Sequence, residues 1–493
     1  MAAWAAMAAL CASAQTAPSP RQIAAHLTAN DLKADVSFLA SDALQGRGTP
    51  SFGLDAAAEY VASRFRRAGL EQAGDDGYFQ TAPYVSVRPN LEGLDLTLEI
   101  AGQVVKPAKP AIWLQEPAAV DLDRAPAFNS SLGDPAALDA LAPGEVRGKV
   151  LILDAAGGGT TLAGLRRFNA SLARLQPALV ILVRVGRAPS SANPQLRDAS
   201  TISAVPVLAV FDEALRAALA GTKPGPLEAT VSAHVAAPSV TPVKLRNVIG
   251  VLRGADPGLR DTYVVVTAHY DHLGVRGSGE GDHIYNGAND DASGTASVIE
   301  IADTLAALPR PRRTLVFMAL FGEELGLLGS RYYAQHPIFP LSRTVADLNL
   351  EQMGRTDDDT GPRVGLVNVT GYDFTSITGV LRQAGQETGI GVVKDEESSD
   401  PFYARSDNQA FADAGVPAHT LSVGYVYPDY HQPGDKWPKL DYENMARVDG
   451  TIALAVLRLA ESSEAPRWNT ANPNTERYVR AREGSAARGA GSR

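Results

Sequence analysis

The chain has 493 residues, of which 45% are hydrophobic and 20% are charged, and its formal net charge at pH 7 is −10. This length and composition favour a globular protein of two or three domains with sizeable cores. The acidic balance argues against nucleic acid as a partner, because binding to phosphates needs a basic surface.

The N-terminal segment is apolar and ends in the small residues Ala12-Ser13-Ala14. An A-x-A motif after an apolar stretch is typical of a signal-peptide cleavage site. Residues 1–20 are therefore predicted to be a signal peptide and leader, and the protein is expected in the periplasm or outside the cell. An alanine-rich N-terminus that stays on the chain is the alternative. Cys11 is the only cysteine, so the mature chain is expected to hold neither a disulfide nor a thiolate metal ligand.

Residues from about 28 to 70 show helical periodicity, and Gly69 is a plausible end for that helix. The apolar stripe at positions i, i+3, i+4 and i+7 consists of Ala58, Val61, Ala62 and Phe65. Residues 21–85 are assigned to the N-terminal part of the main domain. No later stretch has the roughly 18 uninterrupted apolar residues of a membrane span.

Residues 86–243 change in character, being rich in Val, Ala, Pro and Gly. Strand-like runs at 149–154 and 179–185 flank a helix-like run at 160–175. This segment is predicted to be an inserted β-rich domain. From 244 to 465 strands alternate with helices, which predicts an α/β domain with a mostly parallel central sheet flanked by helices. Residues 466–493 are rich in Arg, Gly, Ala and Ser, and they are expected to form a disordered tail.

Histidines and carboxylates follow the apolar runs of the 244–465 segment. The contexts are TAHYDHLG, NGANDDASG, FGEELG, NLEQMG and PDYHQPGD, and the residues are His269, Asp271, Asp290, Glu323, Glu324, Glu351 and His431. The runs read as buried parallel strands, whose carboxyl ends are where α/β proteins place their sites. Histidines and carboxylates without cysteine suit a zinc site for hydrolysis.

Spacing separates the roles of neighbouring side chains. Asp290 is expected to be a ligand shared by two metal ions, and Asp291 to cap the helix that follows. Asp271 is expected to orient the imidazole of His269. Glu323 and Glu324 are adjacent, so one can bind metal while the other takes a proton. The other histidines are expected to be surface or core residues, with His272 and His283 the nearest to the site.

These five contexts, in this order, resemble the co-catalytic zinc aminopeptidase family over about residues 30–80 and 244–460. That family includes secreted bacterial leucyl aminopeptidases, glutamate carboxypeptidase-like enzymes and glutaminyl cyclases. The resemblance implies two zinc ions per chain, and it implies that the insert is similar to a protease-associated domain. The implied ligands are His269 and Glu351 for one ion and Glu324 and His431 for the other, with Asp290 bridging both.

The same resemblance implies that Glu323 is the general base, that Asp271 orients His269, and that Tyr430 helps to bind the oxyanion. The sequence departs from the family at Glu351, where most members have Asp in an NLDM-like context. Glu offers the same ligand atoms on a side chain that is one methylene longer, so Glu351 is kept as a ligand.

The leading functional expectation is an exported aminopeptidase that hydrolyses N-terminal residues from peptides through a metal-activated water. A carboxypeptidase or dipeptidase of the same fold is the first alternative, with Arg405 as a candidate for binding a terminal carboxylate. A glutaminyl cyclase-like acyltransferase would use one zinc ion, which the presence of His269 disfavours. A catalytically inactive binding protein would have lost a ligand or the base, and neither is lost here.

Cleavage after Ala14 predicts a mature protein that begins at Gln15 and lies outside the cytoplasm. N-terminal sequencing of the protein from its native host, together with cell fractionation, checks this prediction. Protein that retains Met1 and stays in the cytoplasm would contradict export.

Overall fold

The computed structural model describes residues 19–131, 135–155, 162–189, 194–199 and 205–490. The predicted cleavage site at Ala14 lies outside these residues. The chain divides into two compact units, one formed by Met1–Ala82 with Leu245–Arg493 and the other by Pro83–Lys244. Within the described residues, no helix combines the length and apolar character needed to cross a bilayer.

A mostly parallel sheet forms the centre of the first unit. Tyr263–His269 is its middle strand and pairs in parallel with Thr314–Leu320 on one side and Thr344–Leu350 on the other. Towards one edge the strands are Ala418–Ser422, Leu366–Val369 and Gly391–Val393, and towards the other they are the last part of Gly225–Leu252 and the short strand Glu71–Gln72. Helices flank this sheet, so the predicted α/β class is confirmed.

The middle strands are apolar along their whole length because both of their faces are buried. Every residue of Tyr263–His269, Thr314–Leu320 and Thr344–Leu350 is buried. In the register of this sheet His269 pairs with Leu320, and Thr267 pairs with Asn349. The chain segments that leave these strands therefore emerge side by side at one edge of the sheet.

Nine helices are described in the first unit, and their apolar residues are buried on one side. The helix Gly294–Ala306, for example, buries Val298, Ile301, Ala302 and Leu305. The helices are Pro20–His26, Ala29–Leu39, Phe52–Arg67, Gly294–Ala306, Leu328–Gln335, Ile377–Thr388, Asn408–Asp413, Tyr442–Glu461 and Glu476–Ala490.

The helix expected over 28–70 is interrupted. It divides into Ala29–Leu39 and Phe52–Arg67, with a 3₁₀ segment at Asp42–Arg47 between them. Gly46 lies within this break: its φ of 68° is in the left-handed region, and a Cβ there would stand 2.2 Å from the carbonyl oxygen of Tyr285. Only glycine tolerates both conditions.

The expectation of a disordered segment after Pro466 is wrong. Residues Glu476–Ala490 form a helix. Trp468 and Tyr478 are buried and stacked, with ring centroids 4.9 Å apart. The indole N–H of Trp468 donates a hydrogen bond of 3.0 Å to the carbonyl oxygen of Gly415. Two aromatic anchors thus hold a segment whose average composition is polar.

The second unit contains its own group of paired strands and its own apolar clusters. Val120–Ser131 pairs in parallel with Val150–Asp154, which is followed in the sheet by Leu179–Val183, Val207–Val210 and Ile112–Glu116. The helix Leu162–Leu175 lies in chain order between two of these strands, where the sequence indicates it. The strand Phe79–Ile100 begins in the first unit and ends in the second, and Gly225–Leu252 begins in the second and ends in the first. None of the predicted site residues falls within Pro83–Lys244.

Candidate metal centre and active site

The carboxyl edge of the parallel strands brings all seven predicted histidines and carboxylates together. His269 ends the strand Tyr263–His269, and Glu351 directly follows Thr344–Leu350. Glu323 and Glu324 come three and four residues after the end of the strand Thr314–Leu320. Asp290 lies in the turn before the helix Gly294–Ala306, and His431 lies in the loop after Ala418–Ser422.

A first group of possible metal ligands consists of His269, Asp290 and Glu351. Each offers one ligand atom, and these atoms lie within 4.8 Å of one another. His269 Nε2 is 3.2 Å from Asp290 Oδ1. This set joins one imidazole to two carboxylates, which suits zinc.

A second group surrounds the other oxygen of Asp290. His431 Nε2 lies 3.0 Å from Asp290 Oδ2 and 3.4 Å from Glu324 Oε1. Asp290 thus faces His269 with one carboxylate oxygen and His431 with the other. This is the arrangement that a shared ligand between two ions requires.

His272 is a member of this cluster that the sequence reasoning did not assign. Its side chain is fully buried, with Nδ1 2.7 Å from Glu324 Oε1 and 3.9 Å from Asp290 Oδ2. His272, Asp290 and Glu324 form a second possible ligand triad. The only sequence signal for His272 is its place in TAHYDHLG, directly after Asp271. Nothing in that pattern shows that the chain turns back at this point.

Several buried polar atoms of the cluster have no hydrogen-bond partner in the structure. His269 Nε2, Glu324 Oε1 and Glu351 Oε2 are among them, although other polar atoms stand close by. Buried polar atoms are normally hydrogen-bonded, and exceptions call for a reason such as an ion. The donor atoms therefore fit zinc ions.

The electrostatics of the cluster also favour cations. Burial lowers the pKa of His269, but the carboxylates of Asp271, Asp290 and Glu323 outweigh it and raise that pKa well above its ordinary value. Burial also lowers the pKa of His431. The carboxylates of Asp290 and Glu324 overcome this effect and raise that pKa to about 10. The carboxylates thus demand positive charge, which protons or metal ions can provide.

Asp271 supports both His269 and Glu323. Its Oδ1 accepts a hydrogen bond of 3.1 Å from the backbone N–H of Glu323, and its Oδ2 accepts one of 3.2 Å from Thr49. His269 Nδ1 is 3.2 Å from the carbonyl oxygen of Asp271 and 3.6 Å from its carboxylate. Asp271 therefore approaches the imidazole more closely with its backbone than with its side chain.

The turn that carries Asp290 is held by two further aspartates. Asp435 accepts hydrogen bonds from the backbone N–H groups of Asn289, at 3.0 Å, and Asp290, at 3.1 Å. Asp291 Oδ1 accepts a hydrogen bond of 2.9 Å from the N–H of Gly294, the first residue of the helix Gly294–Ala306. The same oxygen accepts from the N–H of Gln352, at 3.1 Å, so it also fixes the segment of Glu351.

The cluster opens into a cavity of about 380 Å³. Tyr430 lines this cavity and stacks on His431 with ring centroids 4.0 Å apart. The other lining residues are Asp290, Glu323, Glu324, Gly326, Leu327, Arg331, Glu351, Gln352, Thr370, Phe402, Ala404, Arg405, Ser406, Thr420, Tyr425, Val426 and His431. The volume lies within the ordinary range of ligand pockets.

Three residues of the cavity wall have left-handed backbone conformations. Leu327, Gln352 and His431 have φ values of 62°, 57° and 55°. Outside glycine this conformation costs about 1–2 kcal/mol per residue, and such residues cluster at functional sites because surrounding packing holds them there. At His431 it directs the imidazole towards Asp290.

The chain is similar to several known peptidases. Residues 247–456 match the family model described as peptidase family M28. Aminopeptidase YwaD of Bacillus subtilis is 26% identical over 228 residues, covering 45% of this chain and 46% of the relative. A probable zinc metalloprotease of Leptosphaeria maculans is 36% identical over 294 residues, covering 50% of this chain and 65% of the relative. The chain thus spans about half to two thirds of these two relatives.

A solved aminopeptidase from Aneurinibacillus sp. strain AM-1 has a similar fold. It superposes with a TM-score of 0.54 at 20% identity, covering 91% of this chain and 97% of that one. Over residues 247–456 the chain is thus similar to peptidase family M28, and its cluster of possible metal ligands fits a metallopeptidase.

We predict that the protein binds two zinc ions per chain at saturation. Zinc titration of chelator-stripped protein, followed by metal analysis, measures the number. His269→Gln and His431→Gln should each reduce it towards one, because each leaves the other group of ligands intact. His272→Gln should leave it at two, since His431 places one nitrogen near both carboxylates.

The exposed His336, which is outside the site, provides the matched control His336→Gln. Saturation of the unaltered protein at one ion per chain would contradict the two-ion site and favour the one-zinc acyltransferase alternative.

Proposed function

We propose that the protein is an exported aminopeptidase that uses two zinc ions to hydrolyse the N-terminal residue from peptides. One observation carries this proposal: Asp290 presents its two carboxylate oxygens to two separate histidines, at 3.2 Å and 3.0 Å, beside Glu323 and at the wall of one cavity. Two of the proteins that it resembles are named aminopeptidases.

The proposed ligands are His269 and Glu351 for one ion and Glu324 and His431 for the other, with Asp290 shared. Zinc bound there would supply a Lewis acid for the peptide carbonyl and would lower the pKa of a water molecule. Asp271, Asp291 and Asp435 keep the ligand segments in place through the hydrogen bonds described above.

Glu323 is the proposed general base. Burial raises its pKa well above the ordinary value, His269 opposes this, and the neighbouring Glu351 and Asp407 add to it. A carboxylate with a raised pKa takes a proton more readily near neutral pH, and it can return that proton to the amine that leaves. The backbone N–H of Glu323 donates a hydrogen bond to Asp271, and this bond fixes the position of the Glu323 backbone.

Tyr430 is proposed to donate a hydrogen bond to the oxygen of the reacting carbonyl. Burial raises its pKa, nearby carboxylates including Asp290 raise it further, and Arg405 opposes them. The phenol therefore stays protonated at neutral pH, which keeps it a hydrogen-bond donor.

The charge of the cavity wall bears on which end of a peptide is bound. Asp290, Glu323, Glu324 and Glu351 line the wall and favour a substrate ammonium. Arg355 is held by Asp357 and Asp429 at 2.6 Å and 2.8 Å. It is therefore not available to bind the carboxyl terminus of a substrate, which removes one argument for a carboxypeptidase.

Export and the nature of the second unit belong to the same proposal. The Ala12-Ser13-Ala14 motif supports export, with residues 1–18 outside the described structure. The position of Pro83–Lys244 within the peptidase chain supports a protease-associated-like domain.

Replacement of Glu323 by Gln should reduce kcat by about 10²–10⁴-fold, the usual contribution of general-base catalysis. The amide preserves the shape of the side chain but cannot accept the proton. Metal content should stay near that of the unaltered protein. The exposed Glu396, changed to Gln, is the matched control. Near-normal turnover in Glu323→Gln would show that another group is the base.

Acetylation of the α-amine of a peptide substrate should abolish its cleavage, because the carboxylates of the cavity wall then lose their ammonium partner. Liquid chromatography of a free peptide, its N-acetylated form and its C-terminally amidated form measures the effect. The amidated form serves as the control and should be cleaved from its N-terminus. Cleavage of the acetylated peptide, with loss of cleavage on amidation, would instead establish a carboxypeptidase.

A further inference from the structure

Two arginines, Arg331 and Arg405, line the cavity. A peptidase that binds only the ammonium group of its substrate would not need positive charge there. Arg331 lies on the helix Leu328–Gln335, and its Nη1 is the nearest atom, at 3.8 Å, to a Cβ built on Gly326, two residues beyond Glu324. The guanidinium of Arg405 stands 4.2 Å from the ring centroid of Phe402. Glu324, Gly326, Arg331, Phe402 and Arg405 all border the cavity.

Neither guanidinium is occupied by a protein carboxylate within the described residues. Other arginines of the same unit are paired: Arg355 with Asp357 and Asp429, and Arg363 with Asp395. Arg405 is exposed and Arg331 is partly buried, so both guanidinium groups are accessible from the cavity. A free guanidinium presents a planar set of donors that matches a carboxylate.

The balance of charge in the cavity supports the same conclusion. Four carboxylates line the wall, those of Asp290, Glu323, Glu324 and Glu351. In the proposed function they hold the metal ions and favour the substrate ammonium. The guanidinium groups of Arg331 and Arg405 add positive charge to the same wall, which favours a substrate that also carries an anionic group.

We propose that Arg331 and Arg405 bind a carboxylate of the substrate, so that the protein prefers acidic or very short peptides. This inference rests on the proposed peptidase function and narrows its substrate class. Phe402, Tyr425 and Val426 line the same cavity, and their apolar surfaces can pack against the methylene groups that carry such a carboxylate. The carboxylate comes from the side chain of Glu or Asp, or from the C-terminus of a dipeptide.

Two pairs of substrates separate these sources. N-terminal Glu and Gln p-nitroanilides differ only in side-chain charge and contain no C-terminal carboxylate. The dipeptide Leu-Gly and its amide differ only at the C-terminus. For each pair the ratio of kcat/KM for the charged member to that for the neutral member is measured. A ratio of about 10 or more in at least one pair is expected, from the strength of charge-assisted hydrogen bonds.

The variants Arg331→Gln and Arg405→Gln should each lower that ratio several-fold, mainly by raising KM for the charged member, and the double variant should bring it near one. Arg382→Gln is the matched control, since Arg382 is exposed on the helix Ile377–Thr388 and lies outside the cavity. Competitive inhibition by free glutamate, compared with glutamine, provides a binding measurement independent of turnover.

The neutral substrates act as an internal standard for folding, because a loss of folded protein lowers both members of a pair equally. Ratios near one in both pairs for the unaltered protein, or ratios that the double variant leaves unchanged, would overturn the inference. Absence of hydrolysis of all four substrates would instead contradict the proposed peptidase function.

Discussion

The concentration of buried carboxylates at one edge of the sheet is the constraint on which the site depends. Asp290, Asp291, Glu324 and Glu351 lie among apolar strands, where an isolated charge is costly. Histidines stand within 3.4 Å of Asp290 and Glu324, yet buried oxygens still have no hydrogen-bond partner. Such a cluster is stable only with compensating positive charge, and that requirement explains both the histidines and the fit to metal ions.

The parallel sheet meets this constraint by bringing distant segments to a common edge. His269, Glu323 and Glu351 are separated by 54 and 28 positions along the chain but follow paired strands whose ends are in register. Loops alone would hold them less firmly. Hydrogen bonds from backbone N–H groups to the carboxylates of Asp271, Asp291 and Asp435 then fix each ligand segment to a neighbour, so that ligand geometry follows from the fold.

The arginines of the first unit show how one residue type serves two purposes. Arg355 and Arg363 are held by aspartates and stabilise the loops around the cavity. Arg331 and Arg405 border the cavity itself. A substrate that offers an ammonium to the carboxylates and a carboxylate to these arginines would be complementary to both sets of charges. This complementarity restricts the class of peptide substrates more than the metal centre does.

The sequence by itself determined the α/β class, the strand ends and the seven residues of the candidate site, because continuous apolar runs followed by histidines or carboxylates carry that information locally. It did not reveal His272, Asp435 or Arg331, whose roles depend on contacts with residues up to 146 positions away. It also misjudged the segment after Pro466, where average composition hid the anchoring of Trp468 and Tyr478. Only the tertiary structure decided which charges pair and which face the cavity, because pairing depends on distances that no local pattern encodes.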